Sequence, residues 1–522
     1  MKSWNNTRKS YVNWLSKSDL RKEFSEKIKF EELSFWWLTS LLNKDNINQV
    51  NFYENLTQKL NFQNNKNFHK KLNYFLLIFK LIKGLILKIL SNLIIRFLVF
   101  ETIKKKDFDK KMNCFFALYT NCIDYKGSFI DRQYGLASYK ETENKYYIIE
   151  IPENFFLIKN FFKIKKNLKN IPLKFIISNK NLKLTDIIKV YFSTTVSFFR
   201  MTKILKKNNH FIINGINCSD ILETKLIESF FGSIQDQLLK GKALHNSLIK
   251  KSTKNFINCF DFHPQARSFY HYAKKANIDN VININHANYS ENNIFFNFNK
   301  EDFSKVYSSY YSPQPDIFFT QGEKYYKRLK EVFDENKIFC LGSLKPELNK
   351  FPIPKKTKNL SPKQSKKILT FLCSINDYKS FIKILNECNQ SDLEIYVMPH
   401  PLKKFETIKY FKKELKSDFI DATNLDKKEI FRISDNIIFG DTSLGLELSL
   451  LNYNVLRLYC SDFIPTFDIN DEIPTATNKD EFLDLVNNDH IMQKAEEIEK
   501  NYFYKYDMKA SERLEEILCK LT

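Results

Sequence analysis

The chain has 522 residues, 43% of them hydrophobic and 15% aromatic, which is too apolar for a disordered protein and long enough for two cores. Its formal net charge is +22, from 82 basic against 60 acidic residues, yet no zinc-finger spacing or aromatic RNA-binding strand accompanies that charge; nucleic acid is therefore not an expected partner, and anionic substrates or an anionic membrane surface are. Nine cysteines with no CxxC pair and no Cys/His cluster argue against a disulfide framework or a zinc site and fit a reducing cytosol.

In chain order, residues 1 to about 70 read as helical, with an aromatic cluster at Phe35, Trp36 and Trp37. The first residues lack the apolar run and cleavage site of a secretion signal, so a cytoplasmic location is expected. Residues 72–100 form a greasy, basic stretch. As one helix it would be roughly 43 Å long, enough to cross a bilayer. Lys80, Lys83, Lys88 and Arg96 interrupt it, and each is costly in hydrocarbon. On a helical wheel Leu72, Phe75, Phe79, Ile82, Ile86, Leu90, Leu93, Phe97 and Phe100 share one uncharged arc. The pattern predicts a helix lying in the membrane interface with its basic residues at lipid headgroups. A helix packed on the protein's own core is the alternative.

Beyond it, CFFALYT (Cys114–Thr120), YYIIEIP (Tyr146–Pro152) and FIING (Phe211–Gly215) are short apolar runs bounded by polar turns, and read as strands. A helix over Arg267–Asn277 follows, then strands around Val281–Ile284 and Pro315–Gly322, a helix EKYYKRLKEVF, and a strand ending at Gly342. Pro346, Pro352, Pro354 and Pro362 among many lysines mark residues 346–365 as a linker. The alternation then restarts with strands Ile368–Ser374, Leu393–Met398 and Asn436–Gly440, the last running into a helix SLGLELSLL. Strand–helix alternation predicts parallel sheets with right-handed crossovers. The expected fold class is α/β, with a helical region (1–110), a first Rossmann-like domain (111–345), the linker, and a second Rossmann-like domain (366–522) facing the first across a cleft.

In open α/β sheets ligands sit at the carboxyl ends of strands, and two such ends in the second domain carry candidate residues. Met398-Pro399-His400-Pro401 follows a strand, with prolines fixing the backbone around a histidine suited to a phosphate or a leaving group. Gly440-Asp441-Thr442-Ser443 opens a helix with good capping residues, so that free N–H groups, hydroxyls and the positive dipole end make a phosphate site. Glu447 lies one turn beyond Ser443 on the same side, placed for a ribose diol. A rigid turn and an ordinary capped helix are the bland alternatives for the two motifs.

The HP dipeptide followed by a strand, D-T-S, a helix and Glu resembles the bacterial GT-B glycosyltransferases that use CMP-activated acidic sugars, the sialyltransferases and Kdo transferases. SFWWLTSLLNKDN (Ser34–Asn46), SFIDRQYG (Ser128–Gly135), FFGSIQDQLLKGKAL (Phe230–Leu244) and NVININHAN (Asn280–Asn288) are similar to segments of surface-carbohydrate (O-antigen, capsule) biosynthesis proteins. The resemblance implies that His400 and Pro401 meet the donor phosphate, that Asp441, Thr442 and Ser443 support it, and that Glu447 holds the ribose. It also implies an inverting transfer with no obligatory divalent ion and no cofactor beyond the nucleotide sugar. In CFDFHPQARSF (Cys259–Phe269) the glutamate of that pattern is missing, and Asp261 is the nearest carboxylate.

Inversion needs a group that accepts the acceptor's proton. Asp131, Asp261 and His286 are the candidates, each near a strand end of the first domain and each equally readable as a turn or cap residue. The expected activity is transfer of an acidic sugar from a CMP donor to a glycan or lipid-linked glycan at the inner membrane face. A CDP-alcohol phosphotransferase of wall-polymer synthesis and a non-catalytic membrane scaffold are the alternatives.

Overall fold

A computed structural model describes residues 2–43, 50–62, 74–98, 111–138, 144–152, 155–206, 210–249, 252–286, 289–292, 294–304, 308–345, 366–375, 377–388, 391–401, 403–459, 472–488, 494–507 and 509–521. The expected linker, residues 346–365, lies outside them.

Two parallel sheets organise the chain. The first contains β1 (Met112–Leu118), β2 (Lys145–Glu150), β3 (Lys174–Ile177), β4 (Thr253–Asn258), β5 (Asn280–Ile284), β6 (Ile317–Thr320) and β7 (Ile338–Cys340). Their spatial order is β7-β6-β5-β4-β1-β2-β3. The second contains β8 (Lys367–Leu372), β9 (Leu393–Met398), β10 (Ile420–Asp421), β11 (Asn436–Phe439), β12 (Val455–Leu458) and β13 (Thr475–Ala476), in the order β10-β9-β8-β11-β12-β13. All neighbours in both sheets are parallel. In each sheet the chain steps outward from its first strand, then crosses back and proceeds the other way. This is doubly wound, Rossmann-like topology, twice over, as expected. It places a crevice at the carboxyl ends of β1 and β4 in one domain and of β8 and β11 in the other.

Helices cover both faces of such sheets, so strands read as unbroken apolar runs; β2, KYYIIE, is buried at every position. Two strands of the first sheet were not foreseen, β3 and β4; β3 is a short apolar run, and β4 departs from the pattern. In β4 the buried Asn255 donates to Asn113 Oδ1 on β1 (2.7 Å) and accepts from Asn280 on β5 (2.8 Å). Three amides thus form a ladder across adjacent strands, satisfying polar groups that would otherwise be costly inside a sheet. FIING is no sheet strand. Ile212–Ile213 pairs antiparallel with Ile216–Asn217 around Asn214 and Gly215, both at positive φ. That Asn-Gly pair makes a two-residue hairpin turn.

The N-terminal helices, with Trp36 and Trp37 fully buried between them, share one apolar core with α3 (Leu184–Leu205) and α4 (Ser233–Leu248) of the first domain. The helical region is therefore fused onto a face of that domain. The last helix also returns to it: α7 (Ala510–Lys520) sets Ala510, Leu514 and Leu518 in the first sheet's core, and Arg513 donates to the Leu341 carbonyl (2.8 Å).

The greasy stretch forms α1 (Tyr74–Leu98). Its expected uncharged arc faces outward: Phe75, Phe79, Ile82, Ile86, Leu90 and Leu93 are exposed, while Leu77 and Ile95 pack inward. Leu72 and Phe100 lie outside the described residues. The four cations divide differently from the expectation that all meet headgroups. Lys80 and Lys83 point out, whereas Lys88 turns inward to Asp236 (3.8 Å) and Arg96 donates to the Leu182 carbonyl (3.2 Å). Among the described residues no helix is long and apolar enough to cross a membrane.

Candidate active site

In the second domain, β9 ends at Met398 and delivers His400, which is half-buried, and the exposed Pro401, ahead of α5 (Lys404–Glu414). Burial lowers the imidazole pKa, and the Arg132 guanidinium of the first domain pushes the same way through its charge. β11 ends at Phe439, and Thr442 caps α6 (Ser443–Leu450), its hydroxyl accepting from the Leu444 N–H (3.4 Å). Ser443 is exposed at the helix's positive end.

Asp441 stands elsewhere. It is buried, its carboxylate accepts from Arg457 (3.1 Å), and Arg457 also donates to the Gly440 carbonyl (3.0 Å). Its N–H donates to Asp377 Oδ2 (3.1 Å), and Asp377 Oδ1 accepts from the Ser374 N–H (2.7 Å). Asp377 therefore ties the loop after β8 to the loop after β11 across the second domain's crevice. A Cβ on Gly440 would lie 2.6 Å from Asp377 Oδ2, so glycine is required for this approach. Burial, then the neighbouring Asp441, lift the Asp377 carboxyl to about 7. Asp441 and Asp377 thus shape the loop ahead of α6 from behind.

Glu447 accepts from the Tyr506 hydroxyl through Oε1 (2.6 Å). Burial raises its pKa, while Tyr506 and then Lys345 hold it back.

In the first domain, Asp131 ends a small hairpin strand, Ser128–Asp131, that pairs with Cys122–Tyr125. It is fully buried, and Oδ1 accepts from the Gln133 N–H (2.7 Å). Burial lifts its carboxyl to about 7; the Gln133 bond, Arg132 and Lys345 oppose the rise. Asp261 follows β4, at the strand reversal itself. Its carboxylate accepts from Asn283 (2.7 Å) and Asn285 (3.2 Å), and its φ is +46°, a strained value for a non-glycine residue. Burial lifts this carboxyl to about 7 as well, against the bonds from the two amides.

His286 lies two residues past β5 with its Nδ1 3.8 Å from Asp261 Oδ2 and 26% of its side chain exposed. Burial, then Lys345, His263 and Arg132, push its pKa down to about 3, so the ring is neutral. Of the three candidate proton acceptors it alone reaches the surface of the cleft.

Two further residues were not singled out from the sequence. Arg132 is exposed beside Asp131. Lys345 donates to the His286 carbonyl (2.5 Å); burial and Arg132 lower its pKa to about 8, while Cys259, Glu447 and Asp131 draw it up. Lys345 thus feels the charge of Asp131 in one domain and of Glu447 in the other. Arg132 follows Asp131 within the quoted FIDRQYG segment, which was its available signal; Lys345 was absorbed into the lysine-rich approach to the linker.

The assembled cleft holds a cationic pair on one wall and a helix amino end with hydroxyls and a histidine on the other. That is the chemistry of a diphosphate or phosphodiester site. A separate cavity of about 690 Å³ lies between residues 23–32 and the end of α3. On its rim Lys27 pairs with Glu23 and Lys29 with Glu32, and none of Arg132, Lys345, His286, His400 or the residues of the α6 amino end lines it.

No family model matches the sequence, and no curated protein matches it either. Distant likenesses occur among solved structures. A putative UDP-N-acetylglucosamine 2-epimerase from Listeria monocytogenes is 12% identical, with 78% of this chain and 96% of that one covered at a TM-score of 0.42. An S. aureus MnaA–UDP structure is 13% identical over 79% and 98%, at 0.40. The wall teichoic acid polymerase TagF in a CDPG soak is 12% identical over 87% and 98%, also at 0.40. The two-domain architecture stands on the strand orders themselves.

Proposed function

We propose that the chain is a glycosyltransferase that binds a nucleotide-activated sugar in this cleft, and that the donor is a CMP-linked acidic sugar moved with inversion to a surface-glycan acceptor. The observation that supports the reading is that the segments following the carboxyl ends of strands in both sheets carry these polar groups. Asp261, Arg132, His286 and Lys345 come from one, and His400, Thr442, Ser443 and Glu447 from the other.

In this mechanism the donor phosphate lies at the amino end of α6, held by Thr442, Ser443 and His400. Arg132 and Lys345 close over it from the first domain and stabilise the charge that builds on the departing nucleotide, the service a divalent ion renders elsewhere. Glu447, fixed by Tyr506, receives the ribose hydroxyls.

His286 accepts the acceptor's proton, with Asp261 behind it to steady the imidazolium. Burial, and after it the nearby cations, suppress that basicity. A bound anionic donor neutralises Arg132 and Lys345 and raises it, so proton abstraction is favoured only once the donor is in place.

The test is a transfer assay with a panel of CMP-sugars and CDP-glycerol, run on the wild type and on His400→Ala and His286→Ala. CMP-sugar turnover that falls at least about a hundredfold in either variant is expected. Turnover of CDP-glycerol alone would make the chain a phosphotransferase, and full activity in His400→Ala would remove the donor-site assignment.

A further inference from the structure

α1 is one part of a larger outward face. It packs beside α3, where Gly84 of α1 faces the Tyr191 hydroxyl, and it also touches α2 (Phe155–Lys169). α3 exposes Leu184, Ile188, Phe192 and Phe199 along one stripe, and α2 exposes Phe162. Phe75, Phe162 and Phe192 are 81%, 83% and 72% exposed. Single exposed apolar residues are ordinary, but exposed apolar stripes on two packed helices, α1 and α3, with Phe162 of the adjoining α2, form a patch that marks an interaction site.

The charge around the patch identifies its partner. The three helices carry twelve basic residues and one carboxylate, Asp186. That carboxylate is turned to Asn246 of α4 (2.9 Å), away from lipid headgroups. Lys80 and Lys83 of α1, Lys163 and Lys166 of α2, and Lys189 and Arg200 of α3 are exposed. Apolar rings bordered by solvated cations match the two layers of an anionic bilayer surface, acyl boundary and headgroups. A second copy of the chain would bring like charge against like charge.

We infer that α1, α2 and α3 together dock the protein on an anionic membrane, lying in its interface. The helices also fix where the cleft stands relative to that surface. Asn92 of α1 donates to the carbonyls of Asn179 (2.8 Å) and Leu182 (3.2 Å), just past the carboxyl end of β3. The docking face therefore adjoins the edge of the first sheet that opens on the cleft, and a lipid-anchored acceptor would reach the cleft from that side. The docking itself does not depend on the reaction proposed above.

Flotation of the full-length chain with vesicles tests this. The protein is expected to float with phosphatidylcholine vesicles containing about 30% phosphatidylglycerol, to stay behind with pure phosphatidylcholine, and to dissociate in high salt. Lys80→Glu with Lys83→Glu should lower partitioning at least roughly tenfold at an unchanged Tm. Phe75→Ser with Phe79→Ser should lower it in low salt as well. Absence of flotation with anionic vesicles, or variants that float like the wild type, would overturn the inference. So would a lipid-free dimer that the phenylalanine variant converts to monomer while flotation persists, which would give the face to a second copy.

Discussion

Asp131 illustrates how burial sets residue chemistry in this cleft. Its carboxyl is lifted to about 7 by burial, whereas in the unfolded chain it titrates near the ordinary 3.8. A raised folded value means that the protonated form favours folding. That stability is fully present below about pH 4 and is lost as pH rises through about 7. Asp131→Asn removes the penalty, because the amide oxygen still accepts from Gln133. The variant should be more stable than the wild type at pH 8.5, by up to roughly 4 kcal/mol, and the gain should shrink towards pH 4. Urea melts at the two pH values measure this. A difference independent of pH would mean that the carboxyl is not held near 7.

His400 and the Gly440–Ser443 run were legible in the sequence because proline, glycine and capping residues punctuate strand ends for local reasons. Lys345, Arg132 and Asp377 were not. Their roles depend on which loops the strand crossovers bring together, and nothing within a few residues of each announces it. Asp441 shows the converse: its local signature is that of a phosphate loop, yet the buried Arg457 claims the carboxylate.

At the scale of elements, period and punctuation again decided what was readable. α1 was recognisable from its arc of apolar residues, and that arc is the one left exposed. β4 was hidden because Asn255 and Asn258 break an apolar run, and only the neighbouring strands reveal that Asn113, Asn255 and Asn280 satisfy one another. Asn255→Ala would leave the half-buried Asn113 and Asn280 amides without their partner and should cost about 0.5–1.5 kcal/mol for each lost bond, read as a shift in the urea midpoint. The loop joining β11 to α6 depends on Gly440. Gly440→Ala should push Asp377 off the Asp441 N–H and weaken nucleotide binding more than it weakens the fold. Equal binding in that variant would show that the Asp377 tie has no part in shaping the site.

At the scale of the molecule, two doubly wound domains were foreseen from strand–helix alternation, but their stitching was not. The final helix leaves the second domain and buries Leu514 and Leu518 in the core of the first, a long-range return that no local pattern encodes. Leu514→Ala should cost roughly 2–5 kcal/mol. The loss should appear as earlier proteolysis within the first domain, because that is where the cavity would open.

If one ligand is held from both domains at once, calorimetric titration with CMP, CDP and UDP should register both walls of the cleft. Saturable binding of a cytidine nucleotide to the wild type is expected, weakened at least about tenfold by Arg132→Met in the first domain and equally by His400→Ala in the second. Absence of binding by all three nucleotides, or binding that only one domain's variant disturbs, would contradict it.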